Sequence, residues 1–109
     1  MKKIEVIGST VDFFEFDDGE TKVFTFDSST CLPPEPMVNA MCGLKLLTKQ
    51  NQRLEMVNHK PPLGLFPKVE ADFNYEVVEL DNTGKVKVTF TKKEDAKNST
   101  DFTQTSCAG

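Results

Sequence analysis

The sequence lacks the features that mark membrane, secreted and nucleic-acid-binding proteins. None of its apolar runs approaches the ~20 residues that a membrane-spanning helix needs. The N-terminal run from Met1 to Gly8 is too short and too broken by charge for a signal peptide, so we expect a cytoplasmic protein. Acidic residues outnumber basic ones by 17 to 13, and the basic residues do not cluster, which argues against a nucleic-acid groove.

Residues capable of covalent or metal chemistry are scarce. The three cysteines, Cys31, Cys42 and Cys107, are odd in number and widely spaced, which fits neither a disulfide framework nor a Cys-x-x-Cys zinc site. His59 is the single histidine, and one imidazole needs partners before it can hold a metal. No Ser/His/Asp set, paired-carboxylate site or phosphate loop is apparent, so we do not expect a self-contained enzyme.

What the sequence does contain is the hydrophobic periodicity of one small α+β domain. Alternating apolar residues predict strands over residues 3–7, 11–16, 21–26, 53–58, 73–80 and 85–91. From Met37 to Leu47 the spacing is that of an amphipathic helix, entered through prolines, and a second short helix should start close to Pro67. Residues 1–93 thus form the domain, while residues 94–109 have almost no apolar content and should be disordered.

The N-terminal hairpin carries more aromatic surface than a lone hairpin can bury. Its phenylalanines are Phe13, Phe14, Phe16, Phe24 and Phe26. In one interpretation they pack within the core of the same chain, and in the other they form a homodimer contact. We therefore divide the domain into an N-terminal β arm, residues 1–20, and a core, residues 21–93.

The order of the elements from residue 21 onwards, β-α-β-α-β-β, predicts where a binding site lies. A strand–helix–strand crossover joins parallel strands, so the strands at 21–26 and 53–58 should end at the same edge of the sheet. The loops at residues 31–36 and 59–62 follow these ends and should be neighbours. Ligands of open α/β sheets bind at this edge, where helix N-termini also point. We therefore expect a crevice between the two loops.

Five runs of the sequence carry a resemblance to a known family. They are residues 32–38 (Leu-Pro-Pro-Glu-Pro-Met-Val), 54–62 (Leu-Glu-Met-Val-Asn-His-Lys-Pro-Pro), 65–70 (Leu-Phe-Pro-Lys-Val-Glu), 73–76 (Phe-Asn-Tyr-Glu) and 84–88 (Gly-Lys-Val-Lys-Val). Together they resemble a bacterial and archaeal domain family of unknown function that is related to the TusA/SirA sulfur carriers. The resemblance covers about residues 22–92. It implies a two-layer α/β sandwich of the TusA-like type, with two helices on one face of a four-stranded mixed sheet.

In the sulfur carriers, a Cys-Pro-x-Pro motif at the start of the first helix carries a persulfide on its cysteine. The corresponding run here is Pro-Pro-Glu-Pro at residues 33–36, so the resemblance places Pro33 at the thiol position. Cys31, two residues earlier, is then the candidate catalytic thiol, activated near the helix start. Alternatively, Cys31 packs in its loop as a small apolar group. Cys107 is a second candidate, as a mobile terminal thiol, or else an unselected tail cysteine.

Three functions follow from this reasoning. The first is a non-enzymatic carrier or binding module for a partner protein or a small anionic ligand. The second is a sulfur-relay protein that uses Cys31 or Cys107. The third is a metal- or haem-binding accessory domain with His59 as a ligand. The predicted ligand-binding residues around the crevice are Pro33, Pro34, Glu35, Asn58, His59 and Lys60.

Overall fold

The computed structural model describes residues 1–96 and 100. Within them the chain is a mixed α+β domain with strands β1 (Lys2–Ile4), β2 (Phe13–Asp18), β3 (Thr21–Asp27), β4 (Gln52–Asn58), β5 (Phe73–Leu80) and β6 (Lys85–Lys92). Helix α1 (Glu35–Leu44) connects β3 to β4, and helix α2 (Phe66–Val69) connects β4 to β5. The predicted order of elements holds from β3 onwards. Neither helix of this described part has the length and apolar character to cross a membrane.

All of these strands belong to one six-stranded sheet with the order β1-β2-β3-β4-β6-β5. β3 and β4 run parallel, with Phe24 opposite Leu54, while every other neighbouring pair is antiparallel. The parallel pair predicted from the crossover through α1 is thus confirmed. β2 and β1 extend the sheet beyond β3, so the predicted arm is a continuation of the main sheet and not a separate appendage.

Local hydrogen bonds explain where the observed elements differ from the predicted ones. The first strand ends at Ile4 because the chain then turns: Ser9 donates both its amide and its hydroxyl to the Val6 carbonyl, at 3.2 and 2.9 Å. α1 ends at Leu44, where the Leu47 amide bonds back to the Leu44 carbonyl at 3.1 Å and tightens the last turn. Leu47 is nevertheless buried, as the predicted apolar stripe requires.

The hydrophobic core lies between the helices and one face of the sheet. Leu54 and Met56 of β4 point into it, as the alternation of that strand predicts, and both are fully buried. α1 approaches the sheet closely at Gly43, where an added Cβ would stand 2.9 Å from the Leu54 methyl groups and from the Phe13 ring. A larger side chain at this position would displace core atoms, so the helix rests directly on the sheet.

The phenylalanines of the β2–β3 hairpin pack mainly within the chain. Phe13, Phe24 and Phe26 are buried in the core, and the rings of Phe13 and Phe26 stack with their centroids 4.6 Å apart. Phe14 and Phe16 lie on the opposite face of the sheet and are half-buried. Core packing within one chain therefore accounts for the buried aromatic surface, and a homodimer through the arm stays a prediction.

The second helix is one short turn and covers only part of the sheet. Its Phe66 ring stacks on Tyr75 of β5, with the centroids 4.0 Å apart and the planes 2° from parallel. The same ring meets Phe90 of β6 at a centroid distance of 6.4 Å. Pro67 lies in the first turn, as predicted, where its missing amide hydrogen costs nothing. Because β5 and β6 run on past these contacts, the four-residue α2 does not extend over the tip of their hairpin.

After β6 the described part of the chain turns back towards the sheet. The Ala96 amide donates to the Lys93 carbonyl at 3.2 Å. Thr100 donates its amide and its hydroxyl to Oδ2 of the buried Asp72, at 2.7 and 2.6 Å. The rest of the tail that was predicted to be disordered, residues 97–99 and 101–109 with Cys107, lies outside the described residues.

Candidate binding groove

The loops that follow β3 and β4 lie side by side, as the parallel crossover predicts. We call them the cysteine loop (residues 28–34) and the histidine loop (residues 59–65). Ser28 joins their bases: its amide donates to the Val57 carbonyl at 2.8 Å. The Ser28 hydroxyl lies 3.1 Å from both that carbonyl and Oδ1 of Asn58. Ser28 is fully buried, so these bonds fix the position of one loop relative to the other.

Asn58 is part of the frame that holds the histidine loop. Its side chain is buried, with the residue only 1% exposed. Nδ2 donates to the Lys60 carbonyl at 3.0 Å, and Oδ1 accepts from Ser28. Because both ends of the amide are engaged inside the protein, Asn58 shapes the loop. Its burial does not favour the predicted role as a ligand-binding residue, which stays a prediction.

The predicted ligand residues at the end of the cysteine loop and at the start of α1 are exposed to solvent. Pro33, Pro34 and Glu35 are exposed, and the peptide bond between the two prolines is cis. The Glu35 amide donates to the Leu32 carbonyl at 3.0 Å as α1 begins. None of these three predicted residues is part of the groove lining, whereas His59 and Lys60 are.

The environment of the described cysteines disfavours the thiolate. Burial raises the pKa of the Cys31 thiol above its ordinary value, and the carboxylates of Glu35 and Asp27 raise it further. This is opposite to the activation expected near a helix start, because a thiol with a raised pKa stays protonated and is a poor nucleophile. Burial likewise raises the pKa of Cys42, which is half-buried on α1 and not part of the core.

A groove of about 670 Å³ lies between the histidine loop and the tip of the β5–β6 hairpin. It is lined by His59, Lys60, Pro61, Val77, Glu79, Leu80, Asp81, Asn82, Gly84, Lys85 and Val86. The groove exists because α2 ends before the hairpin tip: the histidine loop lies beside the sheet there, and no residue of α1 or α2 is part of the lining. Positive φ angles at Asn82 and Gly84, 47° and 74°, form the turn that closes the far end.

The groove lining combines an apolar floor with charges of both signs. Val86 is buried and Val77 is 37% exposed. The charged residues of the lining are Lys60, Lys85, Glu79 and Asp81. Their formal charges cancel, so the groove has no net positive charge to attract a small anion. Its chemistry suits a ligand that has apolar groups as well as hydrogen-bonding and charged groups.

His59 is exposed and lines the groove beside Lys60. Across residues 1–96 and 100, no group of three or more histidine, cysteine, aspartate or glutamate side chains is arranged to hold a metal ion. An imidazole can donate and accept hydrogen bonds, and His59 is part of the groove lining. The predicted role of His59 as a metal or haem ligand has no companion ligands in the part of the chain that the structure describes.

β5 forms one wall of the groove and is also the outer strand of the sheet. Residues 74–79 are exposed, and the large apolar side chains among them, Tyr75, Val77 and Val78, are 40%, 37% and 43% exposed. The sequence predicted the bounds of this strand but not its place in the site. The feature of the sequence that indicates an uncovered β5 is the short second helix. A helix that begins near Pro67 and ends before residue 73 cannot cover a hairpin that continues to residue 92.

No protein-family model, curated protein or solved structure matches the chain. The resemblance to the sulfur carriers therefore stays a prediction, and so do the activities that it implies.

Proposed function

We propose that the protein is a non-enzymatic binding module, with a TusA-like two-layer arrangement, that holds an extended segment of a partner protein in the groove beside β5. The observation that carries the proposal is the lining of the groove, which has an apolar floor and both signs of charge. An extended peptide offers matching groups, because its apolar side chains can pack on Val77 and Val86. Its charged and backbone groups can meet Lys60, Glu79 and Asn82.

A small anionic ligand, the other partner predicted from the sequence, has less support. Lys60 and Lys85 would attract it, but Glu79 and Asp81 belong to the same lining and would repel it. The volume of about 670 Å³ also exceeds what an inorganic anion fills. It lies within the ~300–1,000 Å³ typical of sites for larger ligands.

The two alternative functions also have less support. Sulfur relay needs a thiolate, and the raised pKa of Cys31 reduces the thiolate population at neutral pH. A metal ion held by side chains needs further ligands for His59, and the described residues supply no such group. Haem iron needs only one axial histidine, but its porphyrin also needs an apolar pocket, whereas the groove beside His59 is lined by four charged side chains. Mass spectrometry after incubation with a sulfur donor separates sulfur relay from the binding module, because only sulfur relay adds a sulfur atom to the protein.

Selection of peptides against the purified protein tests the proposal. Binders from a random peptide library are titrated into the ¹⁵N-labelled protein, and we expect the amide signals of Val77, Gly84 and Lys85 to shift. A Lys60→Glu variant should bind these peptides at least about tenfold more weakly, because it reverses a charge to which they were selected. Lys49→Glu is the matched control, since Lys49 is exposed near the opposite end of β4 and should leave binding unchanged.

Two results would contradict the proposed function. One is a selection that yields no binder. The other is a set of binders that shift the signals of the cysteine loop, leave those of the groove unchanged, and bind Lys60→Glu as well as the wild type. The second result would transfer the binding function from the groove to the exposed prolines Pro33 and Pro34.

A further inference from the structure

β5 has the properties of an edge that pairs with another strand, and the opposite edge of the sheet does not. β5 is eight residues long, its residues 74–79 are exposed, and it contains no proline, glycine or lysine. Its pairing with β6 is continuous from Phe73 to Leu80, without a bulge. β1, at the other edge, has three residues, of which Lys2 and Lys3 are charged. Short length, proline, bulges and charged side chains, lysine above all, keep edge strands single. Of these devices β5 has only the carboxylates of Glu76 and Glu79.

The pairing with β6 fixes which residues of β5 share a face. Val77 lies opposite Val88, which is fully buried in the core, so the odd-numbered residues of β5 face the helix side. The even-numbered residues face the other side, where Val78 lies opposite Lys87. A strand that extends the sheet without inverting its faces must therefore pair odd residues with odd ones and even residues with even ones.

We propose that β5 of a second copy of this chain completes this edge, antiparallel and centred on Val77. In this register the two-fold axis passes through Val77, Tyr75 faces Glu79 of the second copy, and Glu76 faces Val78 of the second copy. A centre at Glu76 would place this carboxylate directly opposite its own copy, which is destabilising. A centre at Val78 would place Tyr75 opposite the turn that follows β5. The charges and the strand length thus select the Val77 centre.

The Val77-centred register joins complementary surfaces on both faces of the sheet. On the helix side, the row from Val88 to Val77 continues into the same two residues of the second copy, so an apolar row crosses the two-fold axis. On the other side, Glu76 of one copy lies opposite Val78 of the other, and Val78 pairs with Lys87 of its own β6. The cross-strand row therefore contains a carboxylate from one copy and an ammonium group from the other. Tyr75 of each copy stands opposite Glu79 of the other, where its phenol can donate to the carboxylate.

The association completes the groove, and this step rests on the proposed binding function. Within residues 1–96 and 100 of a single chain, no residue beyond Val77 and Glu79 lines the groove along the outer side of β5. Tyr75 of the second copy, backed by the Phe66 ring that stacks on it, becomes the missing wall. A symmetric pair contains two such grooves, each built from both copies. The binding unit for the partner segment is therefore the dimer.

Sedimentation velocity on the full chain tests the proposal, over protein concentrations from ~10 µM to ~1 mM. A contact through one strand is smaller than a standard interface, so we expect a concentration-dependent equilibrium of monomer and dimer. Val77→Lys places two lysines opposite each other at the two-fold axis and should weaken association at least about tenfold. Val78→Lys is the matched control in the same strand: it places a lysine opposite Glu76, so the dimer should be retained or strengthened.

Three results would overturn the proposed dimer: a wild-type protein that is monomeric throughout the range, a Val77→Lys protein that dimerises like the wild type, or a Val78→Lys protein that loses the dimer. Before the comparison, circular dichroism is used to check that both variants are folded. Lys60→Glu lies in the groove and outside the strand contact, so it should sediment like the wild type. Because sedimentation involves no peptide, failure of the dimer is distinguishable from failure of the binding function.

Discussion

Removal of the Asn58 side chain should destabilise the fold by a predictable amount. Asn58 is 1% exposed, and its amide bonds to the Lys60 carbonyl at 3.0 Å and to the Ser28 hydroxyl at 3.1 Å. Asn58→Ala loses both bonds and leaves a small cavity, while Ser28 keeps the Val57 carbonyl as a partner. Each bond contributes roughly 1 kcal/mol, and the cavity adds up to about 1 kcal/mol, so the free energy of unfolding should fall by about 2–3 kcal/mol.

Urea unfolding followed by circular dichroism measures this change, with an unaltered m-value as the sign that the folded and unfolded states keep their compactness. Ser28→Ala and the double variant complete a mutant cycle. Because Ser28 and Asn58 are directly bonded, their coupling energy should be roughly 0.5–1.5 kcal/mol. A loss below about 0.5 kcal/mol for Asn58→Ala, or strictly additive effects in the cycle, would refute the idea that this pair holds the two loops together.

Two further predictions concern the thiol and the helix contact. In a background without Cys42 and Cys107, alkylation of Cys31 should rise with pH around a midpoint above that of an ordinary thiol, because burial raises its pKa; a midpoint below neutral pH would contradict this. Gly43→Val should lower the free energy of unfolding in urea by about 2–3 kcal/mol, because the added methyl groups meet Leu54 and the Phe13 ring. Gly43→Ala should lose less, and an unchanged stability for Gly43→Val would contradict the close contact.

Local sequence patterns were sufficient to predict much of the fold. β5 spans the predicted residues 73–80, because its period of two and the turn that follows it are encoded within ten residues. The parallel pairing of β3 with β4 followed from one helical crossover between them. The end of β1 differed because Ser9 closes a turn onto Val6, a contact that hydrophobic periodicity does not describe. The predicted arm continues the main sheet because Phe13 of β2 packs in the same hydrophobic core as the residues of β4.

The site was only partly predictable, because its shape depends on contacts between distant residues. His59 and Lys60 were identified from the loop that follows a parallel strand, and both line the groove. Asn58 follows the same pattern but points inward, since its partner Ser28 lies 30 residues earlier in the chain. The sequence pattern places Val77 and Glu79 in a strand and indicates no site there. Their exposure to a groove follows from what α2 leaves uncovered. The pattern of β5 alone does not encode this exposure, and its only signal is the short length of the preceding helix.

The proposed binding function would need no thiol at position 33, where the resemblance to the sulfur carriers places Pro33. Chemistry at the start of α1 would need an activated nucleophile, whereas Pro33 has no thiol and the pKa of Cys31 is raised. The groove needs only the histidine loop and the β5–β6 hairpin. Buried bonds of Ser28 and Asn58 hold the base of both loops, and no residue of the cysteine loop is part of the groove lining. A binding role therefore requires a shaped surface, which the chain has, and not a reactive group.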